Sequence, residues 1–331
     1  MNIIEASWSG WSGLTLLLLP LSGIFCLLSA IRRFLFRLGL LRVVSLDVPV
    51  IVVGNITVGG TGKTPLVIWL VEKLRRLGFK PGIITRGYGG NSQQWPREVR
   101  TDTLASEVGD EAVLLSRRTG CPVYAGPDRA AVAQHLLADH DCDLILSDDG
   151  LQHYAMARDL EIAVIDGARR FGNGLCLPAG PLRETRGRLN EVDLVITNGS
   201  KSQNHYGMRL TTSDAVAVDG RGESRALNSF SSGPVHAVAG IGHPQRFFKM
   251  LEGVGLTLIQ HPFPDHHAFT AEDLHAISDE TVLMTEKDAV KCELFAQPGH
   301  WYVPAVAEVD PGFEHALEAL MKRFDSGQKT P

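Results

Sequence analysis

Val48-Pro49-Val50-Ile51-Val52-Val53-Gly54-Asn55-Ile56-Thr57-Val58-Gly59-Gly60-Thr61-Gly62-Lys63-Thr64-Pro65 decides the fold. Val48–Val53 is apolar and β-branched, as expected of a strand buried on both faces. The glycine-rich stretch Thr57, Val58, Gly59, Gly60, Thr61, Gly62, Lys63, Thr64 follows. From Thr64 to Leu77 apolar residues recur at Leu66, Val67, Leu70, Val71 and Leu74, a helical spacing that Gly78 closes. Strand, loop and helix in this order form a phosphate cradle. Glycines let backbone N–H groups converge on one anion, and the positive end of the helix adds to them. Against the usual GxxxxGK[ST] pattern, Thr57 stands where the first glycine belongs. Lys63 is then expected on the β- and γ-phosphates of a nucleotide and Thr64 on Mg²⁺. The bland alternative is a glycine-rich turn before a helix.

Working outward, Gly82–Thr85, Leu144–Ser147, Ile162–Ile165 and Leu194–Thr197 are short apolar runs ended by polar residues. Asp128–Asp139 reads as a helix capped by Asp128. Strands alternating with helices imply a mainly parallel, doubly wound α/β sheet with ligands at the carboxyl ends of its strands. A shift to Ser, Asn and Gly over Asn198–Gly233 marks a linker, and a second αβ pattern begins at Val235 with Val235–Ala239, Pro244–Leu251, Leu256–Ile259 and Val282–Thr285. The expected organisation is an N-terminal segment 1–45, a phosphate-loop domain 46–205, a β-containing linker 206–234 and a smaller α/β domain 235–331. A chain of 331 residues with 44% hydrophobic residues can support about two cores.

Three further motifs bear chemistry. Leu144–Gly150 is an apolar strand ending in Asp148 and Asp149. A carboxylate at such a tip can hold Mg²⁺ beside a phosphate loop, and adjacent strand residues point opposite ways, so the two acids divide their work. Gly109-Asp110-Glu111 places Asp110 at a helix start, where it is either an ordinary cap or a base for an attacking hydroxyl. Phe263-Pro264-Asp265-His266-His267 reads as a site wall, a loop or, less naturally, a metal site lacking a third ligand. Arg86, Arg129 and Arg183 follow strands or turns, where forked hydrogen bonds to phosphate and surface ion pairs both remain open.

The N-terminus is of another kind. Residues 6–31 carry no charge, Leu14–Ile31 is strongly apolar, and Arg32, Arg33, Arg37 and Arg42 follow. This length and flank fit a membrane-associated helix near anionic headgroups, spanning or lying in the interface. A buried core helix is the alternative. A signal peptide fits poorly, because Met1–Glu5 has no basic residue. Five cysteines without a CxxC pair, Cys26 to Cys292, read as reduced thiols. A net charge of −5 does not point to nucleic acid as a partner.

Taken together, VGNITVGGTGKTP (Val53–Pro65), TRGYG (Thr85–Gly89), VGDE (Val108–Glu111), DDGLQH (Asp148–His153), LPAGPLRE (Leu177–Glu184), FPDHH (Phe263–His267) and TEKDAVK (Thr285–Lys291) resemble the tetraacyldisaccharide 4′-kinase family of Gram-negative bacteria. The resemblance covers nearly the whole chain. It implies transfer of phosphate from ATP, with Mg²⁺, to the 4′-hydroxyl of an acylated glucosamine disaccharide 1-phosphate at the cytoplasmic face of the inner membrane. It implies two domains joined by a two-stranded β linker, with the site in the cleft. By the same resemblance Lys63, Asp149 and Asp110 are catalytic, Asp110 pairs with His266 or His267, Thr64 and Asp148 hold the metal, and Arg86, Arg129, Gln152, His153, Arg183 and Glu184 contact substrate. The rival readings are a membrane-associated P-loop ATPase switch, whose loop often carries a lysine where this chain has Val58, and a soluble kinase of a small metabolite.

Overall fold

The structure is a computed structural model, and it describes residues 3–199, 205–275, 277 and 280–325. Residues 200–204, at the end of the expected phosphate-loop domain, and 326–331 of the expected last domain lie outside the described residues.

Eight strands appear before the chain leaves its first sheet: β1 (Val50–Gly54), β2 (Pro81–Thr85), β3 (Arg97–Glu98), β4 (Val123–Ala125), β5 (Leu144–Asp148), β6 (Leu160–Asp166), β7 (Leu194–Asn198) and β8 (Tyr206–Thr212). Six more form a second sheet: β9 (Ala215–Ala217), β10 (Ser224–Arg225), β11 (Val235–Ala239), β12 (Leu258–Pro262), β13 (Val282–Thr285) and β14 (His300–Val303). β15 (Ala305–Val309) then returns to the edge of the first sheet, antiparallel to β8. The first sheet runs β15-β8-β7-β6-β1-β5-β2-β4-β3, and the second β10-β9-β14-β13-β11-β12.

β1 lies parallel between β5 and β6, with Val53 opposite Asp148 on one side and Ile162 on the other. Every residue of β1 is buried, which explains its uninterrupted apolar sequence. This register puts the loop after β1 beside the tips of β5 and β6. The helix Lys63–Arg76 buries Leu66, Val67, Leu70, Val71 and Leu74 under the sheet, one residue earlier in its start than the spacing implied. Gly78 closes it with φ of 94°. Asp128 caps its helix as expected, accepting from the N–H groups of Ala130 and Ala131.

The sheets do not divide the chain at residue 235. β9 and β10, inside the expected linker, belong to the second sheet, whereas residues 305–325, inside the expected last domain, belong to the first. The helix Pro311–Asp325 buries Phe313, Leu317 and Met321 in the same cluster as Leu66 and Leu70. Phe313 meets Trp69 and Tyr206 with ring centroids 5.9 and 5.7 Å away. Long-range pairing of this kind leaves no local signal.

At the other end, Ser12 caps the helix Gly13–Arg37, which is long and apolar enough to cross a membrane by length and composition. Leu17, Leu21, Ile24, Leu27, Leu28 and Phe34 are exposed along it. Its other face lies on the body: Ser22 Oγ donates to the Cys176 carbonyl at 2.7 Å, and Arg33 and Arg37 reach Glu191 at 3.2 and 2.6 Å.

Removing the Phe313 ring leaves a cavity where the returning helix docks. Phe313→Ala should cost about 3–5 kcal/mol, read as a lower denaturation midpoint. An unchanged midpoint would show that this helix adds nothing to the first core.

Candidate active site

The phosphate loop is held open by its neighbours. Thr57 bridges to Leu182, and the Val58 N–H donates to the Pro181 carbonyl at 2.8 Å. Thr57 has no left-handed backbone, so nothing at this position demands the glycine usual there. Gly59 does need to be glycine: its φ is +91°, and a Cβ would stand 2.7 Å from the Arg169 guanidinium. Arg169 also donates to the Gly60 carbonyl, and Asn198 Nδ2 to the Thr61 carbonyl at 3.1 Å. These partners take up the loop's carbonyls, while Lys63 opens the following helix and Thr64 lies in its first turn.

β5 delivers the two acids in opposite directions. Asp149 has φ of 51°, a left-handed conformation that swings its carboxylate toward Lys63 at 3.4 Å and Arg183 at 3.0 Å. Burial pushes Asp149 up, but Lys63 and Arg183 outweigh it and hold the group down at about 2. Asp148 is 1% exposed, and neither carboxylate oxygen has a hydrogen-bond partner among the described residues. Burial, reinforced by the charge of Glu111, pushes it up to about 7 against the pull of Lys63. An unpartnered buried carboxylate beside a phosphate loop fits a hard cation with oxygen ligands. Asp148 and Thr64 would hold Mg²⁺, which when bound draws charge from phosphoryl oxygens.

The carboxyl end of β2 leads into the loop Thr85–Gly89, which folds back on Gly109. A Cβ on Gly109, at φ of +89°, would run into the Tyr88 carbonyl. That approach places Asp110 as the first residue of the helix Asp110–Thr119, with Gly109 rather than Asp110 in the cap position. Asp110 is 4% exposed, and its charge partners come mainly from the second sheet's connections. His266 Nδ1 is 3.3 Å away, Lys291 Nζ 3.8 Å and Lys287 Nζ 3.9 Å. Burial pushes Asp110 up, but the bond to His266 and the two lysines more than reverse it and hold the carboxyl below the usual range. The same bond raises His266 above an ordinary histidine, against burial and Lys287.

The choice between the two histidines is settled by geometry. His267 is bound to Asp273 at 3.1 Å and stacked on Phe263, away from Asp110. Arg129 is 2% exposed and spends Nη1 on the Gly126 carbonyl and Nη2 on the Asp148 carbonyl, so it braces β5 from within. Burial, opposed by Asp148 and Asp149, brings it down to about 10. His153 accepts from the Arg129 N–H at 3.3 Å. Burial, with Arg129 adding to it, lowers His153 to about 4. Gln152 donates to Glu184 at 2.9 Å, and Glu184 accepts from Tyr154. These three face one another in the protein's own network. Arg86, at the end of β2, is exposed.

Residues that carried no expectation also converge here. Lys287 lies 3.1 Å from Glu111 and 3.9 Å from Asp265. Lys291 is tied to Asp288 at 2.8 Å, and Asp288 accepts from the Gly240 N–H at 2.8 Å. Asp166, at the tip of β6, bonds Arg169 at 3.1 Å and Arg246 of the second sheet's first helix at 2.5 Å. The i, i+4 lysines of TEKDAVK, on one helical face, were the available signal.

One wall of this cleft can cradle a polyphosphate and the other can take a proton from a hydroxyl, which is the work of a P-loop phosphotransferase. Comparison with known proteins makes this specific. The chain belongs to the family described as tetraacyldisaccharide-1-P 4′-kinase, which matches residues 14–322. It is 53% identical over 323 residues to a tetraacyldisaccharide 4′-kinase of Methylobacillus flagellatus, covering 97% of this chain and 96% of that one. It is 52% identical over 307 residues to one of Nitrosococcus oceani, covering 93% and 90%. The crystal structure of LpxK from Aquifex aeolicus in complex with ATP superposes with a TM-score of 0.76 at 25% identity, over 93% of this chain and 99% of that chain.

The unpartnered Asp148 separates stability from activity. Asp148→Asn should raise the melting temperature of the ligand-free protein by a few degrees, because it removes a buried charge, while phosphoryl transfer is lost. A melting temperature that falls would show that the carboxylate is satisfied in the folded chain.

Proposed function

We propose that this chain transfers the γ-phosphoryl group of ATP to the 4′-hydroxyl of a tetraacylated glucosamine disaccharide 1-phosphate, giving the bis-phosphorylated lipid A precursor. The observation that carries the reading is the pair of carboxylates set for different tasks beside one phosphate loop: Asp148 unpartnered, Asp110 ionised against His266. Lys63 neutralises the β- and γ-phosphates, and Asp149 with Arg183 orients its ammonium. Asp110 accepts the proton of the 4′-hydroxyl as that oxygen attacks. His266 keeps the carboxylate aligned and ionised until then. Arg86, exposed at the strand end, is placed for an anionic group of either substrate, whereas Gln152, His153 and Glu184 support the wall from behind. A membrane-associated ATPase switch is not favoured, since it needs no carboxylate base paired with a histidine of the second unit.

The site faces a lipid that stays in its bilayer, so the enzyme works at the cytoplasmic face of the inner membrane. The helix Gly13–Arg37 lies in the interface rather than across it. One face of it touches the body at Ser22, Arg33 and Arg37, and Trp8 just before it donates to the Pro178 carbonyl at 3.0 Å. Glu191 takes up Arg33 and Arg37, which leaves Arg32 and Arg42 for anionic headgroups.

Incubation with labelled ATP and the acylated disaccharide 1-phosphate should label the 4′ position. Lys63→Ala should abolish transfer, and Asp110→Asn should lower kcat by about 10²–10⁴-fold with little change in the KM for ATP. Near-normal turnover in Asp110→Asn would remove the base from this reading. Alkaline carbonate should release the full-length chain from membranes, and retention in the pellet would mean that the helix spans.

A further inference from the structure

The loop Phe263–His267 and the helix Glu286–Cys292 both reach over the start of the helix Asp110–Thr119. His266 stands there with φ of 57°, its ring edge-on to Tyr88 at 4.9 Å between centroids. One ring nitrogen, Nδ1, faces Asp110 Oδ2 at 3.3 Å. The other, Nε2, faces Lys287 Nζ at 3.5 Å. A lysine ammonium has donors and no acceptor, so it can bond a histidine nitrogen only where that nitrogen carries a lone pair.

We propose that Lys287 is a positioning residue for phosphoryl transfer: by donating to Nε2 it holds His266 as the neutral Nδ1–H tautomer, with that N–H turned onto Asp110. The inference rests on Asp110 as the base. Lys287 keeps its charge because burial, which would lower it, is outweighed by Glu111, Asp110 and Asp265, and its affinity for the proton rises. The charged groups around the pair come from every element packed on it. Asp110 and Glu111 stand on one helix, Asp265 on the histidine's own loop, and Lys287 and Lys291 on the helix opposite.

Asp110, together with Asp265, whose Oδ1 lies 3.9 Å from Nε2, would draw His266 toward the imidazolium, since a carboxylate favours a charged partner. Lys287 opposes that. Whichever atom of the Asp110–His266 pair takes a proton, the pair gains positive charge next to an ammonium. The pair titrates as a unit, and protonation removes either the carboxylate base or the neutral ring. Lys287 therefore extends the working range of the pair toward acid pH, acting through His266.

The test is the pH profile of kcat/KM of the full-length enzyme with ATP and the acylated disaccharide 1-phosphate. In Lys287→Met the acid limb should move up by about one pH unit, with the KM for ATP unchanged. Lys287→Arg, which keeps a charged donor, should leave the limb near the wild-type position. Lys287→Gln supplies a second neutral side chain if the methionine variant does not fold, and its limb should also rise. An unmoved limb in a folded neutral variant overturns the proposal, as does an arginine variant that shifts like methionine. Asp110→Asn, run alongside, separates the two failures: if it retains turnover the base reading fails, and if it is inactive while the limb is unmoved only the role of Lys287 fails.

Discussion

The structure depends on a buried carboxylate that one half of the molecule supplies and the other half neutralises. Asp110 starts a helix on the first sheet, and His266, Lys287 and Lys291 approach it from the second. A lone ion in that position would be costly to bury, and removing one partner of a buried pair typically costs about 3–5 kcal/mol. Asp110 is therefore held ionised only where the two units meet. Next to it, Arg118 makes two bonds to Glu286, at 2.7 and 2.9 Å, and fixes the same two helices against each other. Across the cleft, Arg246 closes on Asp166 at the tip of β6.

Within the first sheet the same electrostatic logic sorts the acids of β5. Asp149 turns out of the strand and is compensated by Lys63 and Arg183. Asp148 stays in the strand direction, and its carboxylate has no hydrogen-bond partner among the described residues. One residue of offset thus separates a carboxylate paired with a lysine from a buried one that is left unpaired. Arg129 stiffens the arrangement by bonding the Asp148 carbonyl rather than its carboxylate. An arginine in a Pro-Asp-Arg turn was expected on substrate, but at 2% exposure it serves the backbone.

Much of this was legible in the sequence where a signal is local. The run Val50–Gly54, the glycine-rich loop and the spacing of Leu66 to Leu74 each follow from burial and periodicity over a few residues. Ser147-Asp148-Asp149 implied two carboxylates aimed apart, because successive strand residues point opposite ways. The return of Ala305–Val309 to β8 was not legible, since an antiparallel pairing across some ninety residues has no local mark. Nor was the choice between His266 and His267. It turns on a left-handed backbone at His266, a conformation uncommon outside glycine and without a mark in the sequence. Lys287 and Lys291 were visible as a pair on one helical face, but their target lies more than 170 positions away in the chain.

Coupling between the units is the central claim, and a double-mutant cycle on kcat across Asp110→Asn and His266→Ala measures it directly. If the base works only when paired, the double variant is no slower than the slower single variant. Effects that multiply would contradict the account and leave Asp110 and His266 acting independently.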